Sequence, residues 1–212
     1  MIRLLYLLLF ANLLSGQTTI NSESAMNASG SVNKEVSSIS GVLTSDGPSL
    51  ELGSVPDLYS WLIGSWDARI IDYGENGSKR EQLGEWHFAW VLEGRAVQDV
   101  LVVPARDLRS PSSPKEGNRY GTSIRVYDPT IDAWKITWIN PVRNIENHLT
   151  GRKVGKEIIQ EGVDTDGALM RWCFRDIQPN SFHWTGEQST DQGKTWQLGA
   201  EFYCVRKIET QR

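Results

Sequence analysis

From about residue 65 onward, large apolar side chains recur at every second position in short runs bounded by turn residues. Trp86-Phe88-Trp90, Trp134-Ile136-Trp138, Trp172-Phe174, Phe182-Trp184 and Trp196-Leu198-Ala200-Phe202 each load one face of an extended segment, because strand side chains alternate sides. The pattern predicts strands at about 65–72, 84–92, 95–103, 119–127, 133–140, 144–150, 156–162, 167–175, 181–189 and 195–206. Turn chemistry separates them: Glu93-Gly94, Asp128-Pro129, Asn140-Pro141, Asp164-Thr165-Asp166-Gly167, Gln178-Pro179-Asn180 and Asp191-Gln192-Gly193. Joins this short pair consecutive strands antiparallel, with one longer loop at about 104–118 hanging over one end. The expected fold is therefore all-β, an up-and-down antiparallel β-barrel of about ten strands. Closure removes the edges that a sandwich would expose. Ahead of it, Ser54-Val55-Pro56-Asp57 offers a cap, a first-turn proline and an acid. These predict a short helix through about Leu62, stopped at Gly64.

The alternation is missing at the N-terminus. Arg3 precedes an apolar run from Leu4 to Leu14, followed by Ser15 and Gly16, which reads as a signal peptide over 1–16. The run is too short to span a bilayer, which takes about 20 apolar residues, so no integral membrane span is expected. Residues 17–53 are rich in Ser, Asn, Thr and Gly and read as a flexible leader. The barrel domain is then 54–212, and the expected location is secreted or periplasmic. Asn27-Ala28-Ser29 and Asn76-Gly77-Ser78 fit the glycosylation sequon but read as linker and turn chemistry.

Composition narrows the partner class. The chain is 39% hydrophobic and 23% charged with a net charge of -4, and no Lys/Arg cluster offers a nucleic-acid footprint. Nine tryptophans make the enclosed face densely aromatic. An interior of rings either fills the barrel as a core or lines a cavity for a flat or hydrophobic small molecule. Ten strands enclose more than eight do, which favours the cavity.

Gly64-Ser65-Trp66, at the start of the first strand after a short helix, resembles the Gly-x-Trp signature of lipocalins and the wider calycin group. That resemblance implies that an arginine near the end of the last strand packs across the signature tryptophan, and Arg206 stands there, on the face of Phe202. Leu92-Glu93-Gly94-Arg95, the stretch from Gly121 through Tyr127-Asp128-Pro129, and Ser189 through Trp196 are also similar to a bacterial lipocalin-like family of unassigned function, the DUF1579 type. Ser189-x-Asp191-x-Gly193-x-Thr195-Trp196 matches the Asp-box pattern of sialidase propellers, but a propeller needs several copies, so the match reads as a structural turn.

Candidate chemistry is sparse. Ligand contacts are expected from Trp86, Phe88, Trp90, Trp134, Trp138, Trp172 and Trp184. Asp99 and Arg125 sit mid-strand among apolar neighbours and read either as an outward cross-strand ion pair, the preferred assignment, or with Arg125 turned inward to hold a ligand carboxylate. His148 shares a strand face with Glu146, which would make an acid/base pair at a cavity mouth; surface histidines are the plainer reading. His87 and His183 fall between inward rings and so face out. A haem-binding calycin would need an inward histidine on a late strand, so no cofactor is expected. No metal site is expected either, since no His-x-x-x-His or Cys-x-x-Cys spacing occurs. Cys173 and Cys204 point to opposite faces of strands separated by a third, which argues for two free thiols. Three readings follow: a barrel binding a small hydrophobic or aromatic ligand, a calycin-fold cyclase or isomerase, and a filled interaction barrel.

Overall fold

The computed structural model describes residues 39–53, 55, 57–112 and 118–208. The predicted signal segment and residues 17–38 lie outside them. Within the stretch read as a leader, residues 39–53 take regular structure. A one-turn helix α1 (Ile39–Leu43) leads to a two-residue strand β1 (Thr44–Ser45) and a 3-10 turn at Leu50–Leu52. Ser45 pairs with Trp90, Ser49 N–H donates to the Gly94 carbonyl, and Leu52 packs on the main core, so this segment is laid against the barrel wall.

Ten strands follow: β2 (Gly64–Tyr73), β3 (Lys79–Val91), β4 (Ala96–Val103), β5 (Arg119–Asp128), β6 (Ala133–Asn140), β7 (Ile145–Val154), β8 (Glu157–Val163), β9 (Leu169–Gln178), β10 (Ser181–Ser189) and β11 (Gln197–Arg206). Each pairs antiparallel with the next. β11 pairs with β2 from Ala200 opposite Asp72 to Arg206 opposite Trp66, which closes the sheet into the expected barrel. β3 starts well before the predicted strand and β7 ends after it. Lys79-Arg80-Glu81 is paired with β2, and Lys153-Val154 with β8, at the rims, where polar residues give no apolar alternation to read.

Pairing defines the inner face. Trp86 lies opposite Leu101, Phe88 opposite Asp99, Trp184 opposite both Phe174 and Phe202, and Trp134 opposite both Tyr127 and Gly151. One run departs from the predicted alternation. A bulge sets Ala200 opposite Gly186 but Leu198 opposite Glu187, leaving Gly199 as an extra residue, so the face flips N-terminal to it. Trp196 consequently stands outside the barrel, with the Arg171 guanidinium 3.9 Å from its ring centroid.

One barrel end is plugged. The predicted helix before β2 is a single 3-10 turn, Ser60–Leu62, whose Ser60 N–H donates to Asp57 Oδ1 at 2.9 Å; Ser54 and Pro56 lie outside the described residues. This turn pushes Tyr59 and Leu62, both fully buried, into the barrel. Trp61 meets Phe182 edge-on at 5.3 Å, and Trp66 meets the same ring at 4.8 Å. Arg206 locks the plug. Its guanidinium lies 4.1 Å from the Trp66 ring centroid and donates to the carbonyls of Ile63 (2.7 Å), Trp61 (2.6 Å) and Pro179 (3.1 Å). Gly64, at φ 118°, leaves the space: a Cβ there would stand 2.9 Å from Arg206 Nη1.

On the outer wall, Glu85 ties the long loop down. Its carboxylate accepts from Arg106 Nε (2.6 Å), Arg106 Nη2 (3.1 Å) and the Arg106 backbone N–H (3.0 Å). The Arg106 guanidinium, against the cost of burial, holds the Glu85 carboxyl well below the usual carboxylate range. A carboxyl depressed by folding stabilises the native state above its unfolded value, about 4.3 for glutamate, and loses that contribution as pH falls. Glu85→Gln is therefore expected to be less stable than the parent at pH 7, with the gap closing as urea denaturation is repeated at successively lower pH below about 4.3. Arg206→Ala is expected to cost about 2–4 kcal/mol in the same assay, from the lost charged hydrogen bonds and ring contact.

Candidate functional site

At the end opposite the plug the rings surround a space without filling it. Trp86, Trp138, Trp172, Trp184 and Phe202, with Leu101, Arg119, Ser123 and Arg125, line a half-open cavity of about 100 Å³. Its wall is continuous. Trp138 stands edge-on to Trp172 at 6.3 Å, Trp172 leads to Trp184 at 5.9 Å, and Trp184 tilts against Phe202 at 4.4 Å. Trp86 is shared between cavity and core, stacking on Phe174 at 6.0 Å and meeting Trp184 edge-on at 6.1 Å.

Two glycines set where the indoles lie. A Cβ on Gly121 would come within 2.7 Å of the Trp138 six-membered ring, and a Cβ on Gly186 within 2.7 Å of the Trp184 ring. The six-membered ring of each indole therefore lies against bare backbone of the wall, a close approach that only glycine permits at mid-strand.

Two ion pairs face inward. Register puts Asp99 and Arg125 on the inner face, so the preferred outward assignment does not hold: β4 and β5 both present these parities to the interior, as do their neighbours Leu101 and Ser123. Arg125 Nη1 donates to Asp99 Oδ2 at 2.5 Å, with the side chains 1% and 0% exposed. Asp99 also accepts from the Ser123 N–H at 3.2 Å. The Arg125 guanidinium lies 5.2 Å from the Tyr59 ring centroid and 5.6 Å from that of Phe88, so it bridges the plug and the middle of the barrel. Burial pushes the Tyr59 phenol up, and its oxygen accepts from Gln160 Nε2 at 2.9 Å. Near the mouth, Arg119 pairs with Asp72 and lies 5.6 Å from the Phe202 ring centroid.

Hydrogen bonding in the cavity wall is incomplete. Trp86 Nε1 and Arg125 Nε are buried and have no partner among the protein groups. An unsatisfied buried donor costs about 1–3 kcal/mol, which makes two of them in the residues of one cavity informative.

The structure thus gathers Trp86, Trp138, Trp172, Trp184 and Arg125 at one cavity and separates the other three candidates from it. Phe88 sits deeper, under Arg125. Trp90 and Trp134 belong to the plugged end, where Trp134 meets Tyr59 edge-on at 5.2 Å and both indoles line a separate half-open pocket of about 290 Å³ with Leu52 and Val55. Glu146 and His148 do form a pair, Nε2 to Oε1 at 3.1 Å, but on the outer wall with side chains 59% and 71% exposed. That removes them from any chemistry inside the barrel, because β7 turns Asn147 and Leu149 inward instead. His87 and His183 also face out. His183 stacks flat on Tyr203 at 4.6 Å and meets Glu201 at 3.1 Å. Both cysteines are free and buried, Cys204 inward opposite Ala68 and Cys173 outward opposite Thr185, and burial pushes the Cys204 thiol up. Among the described residues, no group of three potential ligands could hold a metal ion, and no helix is long and apolar enough to cross a membrane.

Sequence reading missed Tyr59, Arg119, Gly121 and Gly186. Gly121 and Gly186 carried a usable signal, since glycine inside a strand marks a close approach. Tyr59 carried none, because its role depends on where the turn enters the barrel.

Ser189 through Trp196 closes the β10–β11 hairpin as a structural turn. Asp191 accepts from the Thr195 N–H at 2.9 Å and from its hydroxyl at 2.6 Å, which lowers the Asp191 carboxyl to about 2.

Among solved structures, the S-type phycobiliprotein lyase CPES from Guillardia theta is similar at 12% identity and a TM-score of 0.46, over 70% of this chain and 89% of that one. Rv2717c from M. tuberculosis is similar at 16% identity and a TM-score of 0.47, over 70% of this chain and 94% of that one. Both are distant likenesses. No family model matches the chain, and no curated protein matches it.

The buried pair gives a direct test of what stabilises this site. Removing one partner of a buried ion pair strands the other, so Arg125→Met is expected to cost about 3–5 kcal/mol by urea denaturation. Asp99→Leu combined with Arg125→Met is expected to recover most of that loss, because the two apolar side chains leave no unpaired charge.

Proposed function

We propose that this barrel binds a small aromatic or hydrophobic molecule at its open end. The observation that carries the reading is the convergence of five rings, Trp86, Trp138, Trp172, Trp184 and Phe202, around a space they do not fill. The opposite end shows that this sequence can pack rings to closure: Trp61, Trp66 and Phe182 fill the barrel there around the plug. Rings that touch around the rim of an unfilled space, on a wall recessed by two glycines, suit a flat guest.

Size selects the guest. Pockets for drug-sized ligands run to about 300–1,000 Å³, so a space of about 100 Å³ takes one ring inside, with any remainder at the mouth. Long acyl chains and haem exceed it. The binding reading is favoured over an enzyme on the same barrel because the acid/base pair expected from the sequence, Glu146 and His148, stands on the outer wall, and the inward carboxylates Asp99 and Asp72 are each held by an arginine.

Titration followed by intrinsic tryptophan fluorescence checks this, since four of the lining residues are indoles. Saturable changes are expected with one- and two-ring aromatics such as toluene and naphthalene, and none with palmitate or haem. A flat response across the whole panel would overturn the proposal.

A further inference from the structure

The polar composition of the cavity wall narrows the ligand further, on the premise that the cavity is the binding site. We infer that the ligand is an aromatic molecule bearing a neutral carbonyl oxygen, received by the N–H groups of Arg125 and Trp86. These two side chains are 1% and 4% exposed, both line the cavity, and each keeps one buried donor, Arg125 Nε and Trp86 Nε1, without a protein acceptor. A guest offering only carbon leaves both donors unsatisfied, and a guest with an acceptor removes that penalty.

Charge decides which acceptor. Each cation lining the cavity already has its counter-ion: Asp99 for Arg125 and Asp72 for Arg119. The cavity lining with these partners is therefore neutral in sum, and a carboxylate entering it would bring an unbalanced buried charge beside two fixed carboxylates. A ketone, aldehyde or lactone oxygen brings two lone pairs and no charge. It matches two single N–H donors better than it matches a guanidinium fork, because Asp99 already occupies Nη1 of that fork. An arginine free to clamp a carboxylate would instead show an open pair of nitrogens and no partner acid. Arg125 here serves as a positioned dipole rather than a free charge.

Three near-isosteric probes separate the outcomes by isothermal titration calorimetry: acetophenone with a neutral carbonyl, α-methylstyrene with a methylene in place of that oxygen, and benzoate with a carboxylate. Acetophenone is expected to bind at least tenfold more tightly than either, a difference of about 1.4 kcal/mol. In Trp86→Phe, which keeps a ring and deletes the indole N–H, the preference for acetophenone over α-methylstyrene is expected to shrink several-fold. Equal binding of acetophenone and α-methylstyrene would overturn the carbonyl assignment and leave the aromatic-binding proposal standing. Tighter binding of benzoate would overturn it in favour of an anion site. Silence of all three would sink both.

Discussion

Ten strands close around more space than ten rows of ordinary inward side chains can fill, and this geometric excess governs the molecule. A barrel of about eight strands is the size that side chains fill unaided. Here the chain adds two strands and meets the surplus volume with indoles and with an inserted turn. Tyr59 and Leu62 enter from outside the sheet, and Trp66, Phe182 and Phe174 close around them. The abundance of tryptophan is a response to barrel circumference before it is anything else.

Filling from one end creates a second problem, which the arginines solve. A turn inserted into an apolar mouth buries backbone carbonyls that the sheet cannot pair. Arg206 collects two of them, those of Trp61 and Ile63, while covering the Trp66 ring. Deeper in, Arg125 lies beside Tyr59 with Asp99 as counter-ion, so the plug and the mid-barrel wall share one polar joint. Such a pair adds little net stability over apolar packing, yet it penalises any strand register that separates its members. Register and plug position are thereby coupled. The rings beyond Arg125, at the open end, inherit their placement from this joint.

Fold class was legible because alternation is a local signal: Trp134-Ile136-Trp138 and Trp172-Phe174 state their own faces, and short turns dictate antiparallel neighbours. Alternation also gave the parity of Trp86, Trp138, Trp172 and Trp184. It could not give depth along the barrel axis, which is why Trp90 and Trp134 share a face with the cavity rings yet belong to the plugged end. Nor could it settle Asp99 and Arg125. A charged residue on an apolar face has no sequence mark that tells an inward pair from an outward one, since the answer depends on the partner strand. Trp196 was misplaced by a single extra residue, Gly199, whose effect on parity appears only once Leu198 is seen opposite Glu187.

Gly121 and Gly186 confer on the open end a property that the rings alone would not have. The free volume there is held by missing side chains in the wall rather than by the size of the residues that bound it. A one-carbon substitution at Gly186 would meet the Trp184 ring and lift that indole off its seat, whereas at Gly121 it would also strike the Ile139 backbone carbonyl and disturb the β5–β6 seam. The barrel can therefore drift in what it admits by a change at one wall position, Gly186, that need not touch the guest, which makes its selectivity evolvable independently of its architecture.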